Sequence, residues 1–143
     1  MTQQQDLSRF HEAHRLSYAA ALEEIRGGRK RTHWMWYIFP QIRGLGRSPT
    51  AEYYAIRDRA EAEAFLRDPV LGGHLTEISL ALLDLEDNDA AMVFDFPDNL
   101  KLRSSMTLFA AVAGESSVFQ RVLDKFFFGE PDARTLCFLR ERS

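Results

Sequence analysis

Helix-start signals recur along this sequence and constrain its fold more than any other feature. Ser48-Pro49 and Asp68-Pro69 each set a capping side chain directly before proline, the residue best suited to a first helical position. Asp58 with Glu61, and Ser117 with Gln120, have the spacing of a capping box, Asp58 standing in for Ser or Thr. Asp6 and Asp132 are further N-cap candidates, and Pro97-Asp98 leads into another helix. Apolar residues at three- and four-residue steps follow each signal, and nothing in the chain alternates with period two.

These signals divide the chain. A first helix from about Leu7 to Arg26 carries Leu7, Phe10, His14, Tyr18, Ala21 and Ile25 on one stripe and stops at Gly27-Gly28. A short turn from Pro49 to about Ala55 and a helix from Ala60 to Leu66 come next. Leu71, Leu75, Ile78, Leu82 and Leu85 then form a ridge whose first turns contain Gly72 and Gly73. Two glycines there imply a late helix start or a close approach by another backbone. A single turn is expected near Ala90 to Val93, then a helix from Asn99 to about Ala113 burying Leu102, Met106, Phe109 and Val112 or Ala113. Next comes one with the ridge Phe119, Val122, Leu123 and Phe126. The last helix carries Leu136, Cys137 and Leu139, with Cys137 expected as a small buried hydrophobe. With no repeat and no linker, the expectation is all-α: one multi-helical domain over 1–143, with residues 1–5 frayed.

The stretch Gly27 to Gly46, GGRKRTHWMWYIFPQIRGLG, holds both tryptophans. Its run from His33 to Phe39 is apolar but for one histidine, with Arg26, Arg29, Lys30 and Arg31 before it and Arg43 and Arg47 after. A strand there would have no partner for its backbone groups. The run therefore reads as a short helix, hydrophobic on all sides and buried at the centre of the fold, ended by Pro40.

At 143 residues the chain can bury a core without staples. A net charge of −3 argues against a general nucleic-acid binder. Charge is lopsided: no Lys or Arg lies between Asp68 and Asp98, where Asp84, Glu86, Asp87, Asp89 and Asp95 gather. The lone Cys137 admits no intrachain disulfide, and the first residues do not resemble a signal peptide. No apolar run is long enough to span a membrane. The expected home is the cytoplasm, with no membrane partner.

Several stretches together resemble one family: DLSRF near the N-terminus, GRKRTHWMWYIFPQIRGLG, YAI, EAEAFL, DPVLG, KLRSSMTLF and FGEPDARTL. They cover nearly the whole chain and resemble the bacterial domain-of-unknown-function family 1810, whose members often carry the label calpastatin. The resemblance implies a multi-helical fold with central helices enclosed by others, and no established activity, cofactor or catalytic residue. The label does not fit the composition: an animal-type calpain inhibitor is disordered, whereas this chain has the apolar content of a packed domain.

The residues spell out no reaction. His33 could act as an acid/base or binding imidazole at the mouth of an aromatic pocket walled by Trp36, with Gln41 and Arg43 nearby. Equally, it could be a satisfied core histidine. Arg29-Lys30-Arg31 lacks phosphate-loop spacing and reads as a solvated or acid-paired loop. Gly44-Leu45-Gly46 is only a fragment of a dinucleotide fingerprint, so no cofactor is expected. Lys101, Arg103, Ser104, Ser105 and Thr107 cluster near a helix start, where free amides favour an anion. Ser104 or Ser105 with His33 as a hydrolase triad lacks a nucleophile elbow. His11 and His14, three apart on one helix, have no completing ligand set, so no metal is expected. The ligand-site candidates are thus His33, Trp36, Gln41, Arg43, Lys101, Ser104 and Ser105, around a small anionic or phosphate-bearing molecule. The alternative is a protein-interaction or regulatory module without a pocket.

Overall fold

The computed structural model describes residues 5–142 and contains, among them, nine helices and no strand. In chain order they are α1 (Ser8–Arg26), α2 (Met35–Ile38), α3 (Pro49–Tyr54), α4 (Arg59–Arg67) and α5 (Pro69–Leu83). α6 (Ala90–Phe94), α7 (Asp98–Ala113), α8 (Val118–Phe127) and α9 (Ala133–Glu141) complete the set. They close on one hydrophobic cluster with Phe10, Trp34, Phe39, Phe65 and Phe109 fully buried in it. No helix among the described residues is long and apolar enough to cross a membrane.

The local start signals act as their chemistry requires. Ser48 accepts the amide of Ala51, Asp58 that of Glu61, Asp68 those of Val70 and Leu71, Ser117 that of Gln120 and Asp132 that of Thr135. Asp6 differs. α1 begins at Ser8 with Leu7 in the cap position, and Asp6 instead accepts the Ser8 amide and hydroxyl from one residue further out. Of the expected frayed segment, residues 1–4 lie outside the described residues, while Gln5 accepts a hydrogen bond from Arg57.

The Trp-rich run departs from the expectation in length and in burial. It makes one helical turn, Met35–Ile38, because Phe39 precedes Pro40 and adopts φ −124°, ψ 71° rather than helical angles. Trp34, Met35, Ile38 and Phe39 are buried, but Trp36 and Tyr37 are only half buried and His33 is exposed. The turn lies against the core with one side and is not enclosed all round. Beyond it, Ile42 pairs with Ile56 in a single parallel bridge. The Arg43 amide donates to the Ile56 carbonyl and the Ile56 amide to the Gln41 carbonyl, both at 2.8 Å. Two buried isoleucines are thereby set side by side with their backbone groups satisfied.

The charged blocks meet each other. Arg29 pairs with Asp95 and Lys30 with Asp98, both at 3.0 Å, and the nearly buried Lys30 ammonium also sits 5.1 Å from the Trp34 ring centroid. The acid-paired reading of Arg29-Lys30-Arg31 thus describes its first two members.

Cys137 is exposed, not buried, because α9 turns Thr135 and Leu139 to the core. At the α4–α5 corner, a Cβ on Gly72 would lie 2.0 Å from the Leu66 carbonyl oxygen, whereas one on Gly73 would meet nothing within 4 Å. Of the two explanations for the glycine pair, close backbone approach therefore holds at Gly72. Both substitutions by alanine gain about 1 kcal/mol of helix propensity. Gly73→Ala should accordingly stabilise the protein, while Gly72→Ala should destabilise it by about 1–3 kcal/mol. Urea unfolding of the two variants checks this, and shifts of equal sign would contradict the packing account.

Candidate functional site

Two polar arrangements stand out, one a cavity and one a buried histidine pair. The cavity, about 390 Å³, lies where the loop after α2 faces the beginnings of α7 and α9. The loop supplies Gln41, Leu45 and Gly46, and the first turns of α7 supply Pro97, Leu100, Lys101, Arg103 and Ser104. Asp132 and Arg134 come from the start of α9. Local sequence sets these positions. The Asp132–Thr135 cap fixes the start of α9 and therefore where Arg134 projects. Lys101 stands one turn into α7, 3.5 Å from Asp98 and with its ammonium 5.8 Å from the Trp36 ring centroid.

Charge around the cavity favours anions. Lys101, Arg103 and Arg134 face a single carboxylate, Asp132. That carboxylate already accepts from the Thr135 amide and hydroxyl at 3.0 and 2.5 Å, and the Ser104 hydroxyl lies 3.3 Å from it. Arg103 is partly engaged, donating to the carbonyls of Glu130 and Pro131 and pairing with the Glu130 carboxylate at 3.3 Å. Arg134 lies 6.0 Å from the Phe138 ring centroid.

Of the residues singled out from sequence, Gln41, Lys101 and Ser104 come together here, with Trp36 beneath Lys101. His33 is exposed, its ring centroid 6.5 Å from that of Trp36, and is not among the cavity's lining residues. Ser105 is fully buried, and its hydroxyl finds no partner among the described residues. The Ser104 hydroxyl is directed to the Leu100 carbonyl and Asp132, not to an imidazole, so the triad geometry is not formed. Arg43 lines a different cavity, of about 470 Å³, together with Arg9, Arg57 and the buried Glu61. Asp95 and Asp98 are bound by Arg29 and by Lys30 and Lys101. Arg134 and Leu100 escaped the sequence reading because α9 and α7 converge only in the fold. The cap at Asp132 was the one available signal for Arg134.

The second arrangement joins α1 to α5. His14 Nε2 lies 2.8 Å from the Tyr37 carbonyl, which can only accept, so this nitrogen carries the proton. Its Nδ1 is then bare and accepts from His74 Nδ1 at 3.0 Å. Tyr18 stacks on His74 at 3.6 Å between centroids and donates its hydroxyl to Glu77 at 2.5 Å. His11 meets Asp68 at 2.7 Å. Burial drives the His14 pKa down to about 4, against the opposing pull of the Tyr37 carbonyl, and burial also lowers that of His74. Burial and the bond to Glu77 raise that of the Tyr18 phenol. His74 was missed because 60 residues separate it from its partner. Among the described residues no group of three or more His, Cys, Asp or Glu could hold a metal ion.

The histidine pair gives a pH signature. His14 is neutral in the fold but titrates near 6.5 when unfolded, so its contribution is complete above that pH and is lost on acidification. Stability should fall between about pH 6.5 and 4 by up to about 3 kcal/mol, at roughly 1.4 kcal/mol per unit. Depressed carboxylates such as Glu24, held at about 2, add their loss only below about pH 4.5. There, hydrogen bonds from Thr32, the Arg31 amide and Trp34 outweigh the upward push of burial. His14→Gln should flatten the larger part of the decline, as chemical unfolding across this range would show. An unchanged slope in that variant would mean the loss arises elsewhere.

Comparison with known proteins places the whole chain. No curated protein matches it. A solved structure described as the conserved hypothetical protein Rv1873 from Mycobacterium tuberculosis is similar, with a TM-score of 0.90 and 43% identity, covering 94% of this chain and 96% of that one. The profile of the family described as "Protein of unknown function (DUF1810)" matches residues 4–139. With that span matched, the chain belongs to the DUF1810 family.

Proposed function

We propose that the protein binds a small anionic molecule, carboxylate or phosphate-bearing, in the cavity between the Gln41–Gly46 loop and the starts of α7 and α9. The observation that carries the reading is the charge balance there: Lys101, Arg103 and Arg134 line about 390 Å³ with one carboxylate, Asp132, whose Oδ2 already accepts from Thr135, and Arg134 has no ion pair among the described residues. That volume falls within the roughly 300–1,000 Å³ of small-molecule sites. Lys101 and Arg134 reach the anion from α7 and α9 and Gln41 donates from the loop, with the Trp36 ring 5.8 Å from the Lys101 ammonium. The Ser104 hydroxyl points to the Leu100 carbonyl and to Asp132, and no imidazole is among the lining residues; the reading is one of binding.

Thermal denaturation with phosphate, sulfate and citrate tests it, since a ligand of the native state must raise the melting temperature. Arg134→Ala should weaken a bound anion by about 1.5–3 kcal/mol while leaving unliganded stability nearly unchanged, because Arg134 forms no ion pair among the described residues. Affinity should decline with added salt. Absence of any anion-dependent shift in the parent would turn the reading toward a protein-interaction module.

A further inference from the structure

The cavity that holds the proposed anion is not lined by charge alone. Leu45 from the loop and Pro97 and Leu100 from the start of α7 add apolar surface to the same lining as the basic residues. Leu100 is 48% exposed and Phe96, covalently joined to Pro97, is 77% exposed. A bare inorganic anion would satisfy Lys101, Arg103 and Arg134 and leave this apolar surface in water. We infer that the occupant is amphipathic: an organic anion whose acidic group meets the basic residues and whose hydrocarbon arm, aryl or short acyl, lies on Leu45, Pro97 and Leu100. This inference rests on the anion reading above and narrows its ligand class. It has a physical driving force of its own, since apolar surface removed from water on both partners adds to affinity without adding charge. It also accounts for a large apolar side chain held exposed on a helix whose Leu102, Met106, Leu108 and Phe109 are fully buried.

The test is calorimetric titration of the parent and of Leu100→Ser with inorganic phosphate, phenyl phosphate, hexyl phosphate and phenol. The melting temperature of the unliganded variant shows that it folds. Leu45→Ala provides a second variant on the same apolar surface. Phenyl or hexyl phosphate should bind at least about tenfold more tightly than inorganic phosphate, and most of that gain should vanish in both variants. Phenol should show no measurable binding. Equal affinity for phosphate and its esters would overturn the inference and leave the anion site standing. So would an ester advantage undiminished in both variants, which would locate the arm elsewhere. Binding of phenol as tightly as phenyl phosphate would overturn the inference together with the anion reading, and so would no binding by any of the probes. Association of the esters' headgroup only when displayed on phosphatidate vesicles, with none to the monomeric esters, would overturn it in favour of a lipid surface.

Discussion

Replacing Trp34 by alanine should remove about 3–5 kcal/mol of stability, a large share of the roughly 5–15 kcal/mol typical of a domain. The indole is 1% exposed and packs edge-on to Phe94 and at a tilt to Phe39. Its loss opens a cavity that the short α2 turn, closed by Pro40, has little freedom to fill. The indole N–H also donates to Glu24 at 3.0 Å. The same carboxylate accepts the amides of Arg31 and Thr32 at 2.6 and 2.9 Å and the Thr32 hydroxyl at 2.6 Å. One acid on α1 thus gathers the connection that leads into the Trp-rich turn. Trp36→Ala should cost distinctly less, its ring being only half buried. Equilibrium unfolding of both variants measures the contrast, and equal losses would show that burial does not separate the two indoles.

An effect of similar size is expected at Glu61. Its carboxylate is fully buried, accepting from Arg9 and from the Arg57 amide at 3.0 Å each and pairing with the Arg57 guanidinium at 3.2 Å. Arg9 also donates to the carbonyls of Asp6, Tyr53 and Ala55, at 3.3, 2.8 and 3.0 Å. Glu61→Ala would strand a guanidinium that is 16% exposed and orphan the Arg57 amide, at a cost of about 3–5 kcal/mol. Glu61→Leu combined with Arg9→Met should lose less than the sum of the single changes, since removing both charges leaves neither unpaired. A double-mutant cycle in denaturant reads the difference, and strict additivity would show that the ion pair does not couple α1 to α4.

The starts of the helices were legible because a cap is a local device. A side chain two or three residues from its amide needs no tertiary context, as Ser48, Asp58, Asp68, Ser117 and Asp132 illustrate. Apolar ridges such as Leu71, Leu75, Ile78 and Leu82 were legible for the related reason that helical spacing alone sets their common face. What depended on the chain folding back was not legible. Glu61 reads as half of a capping box, and only Arg9, 52 residues away, makes it a buried anion. His14 reads as one member of a weak His pair, until α5 presents His74. Arg43 follows Gln41 by two residues, yet the two side chains line different cavities. The lining of this cavity was therefore named in part, from the loop and from α7, without its contribution from α9.

That division of the loop has a mechanical consequence. Gln41, Leu45 and Gly46 border one cavity and Arg43 borders another, so one short stretch of backbone lines both. It has little slack. A Cβ on Gly44 would come within 3.1 Å of the Phe138 ring, and one on Gly46 within 2.5 Å of the Ala51 methyl group. Arg142 grips the Arg43 carbonyl from α9. The stretch that contributes to both cavities is thus pinned by close contacts at Gly44 and Gly46 and by Arg142, so the two linings share one restrained length of backbone.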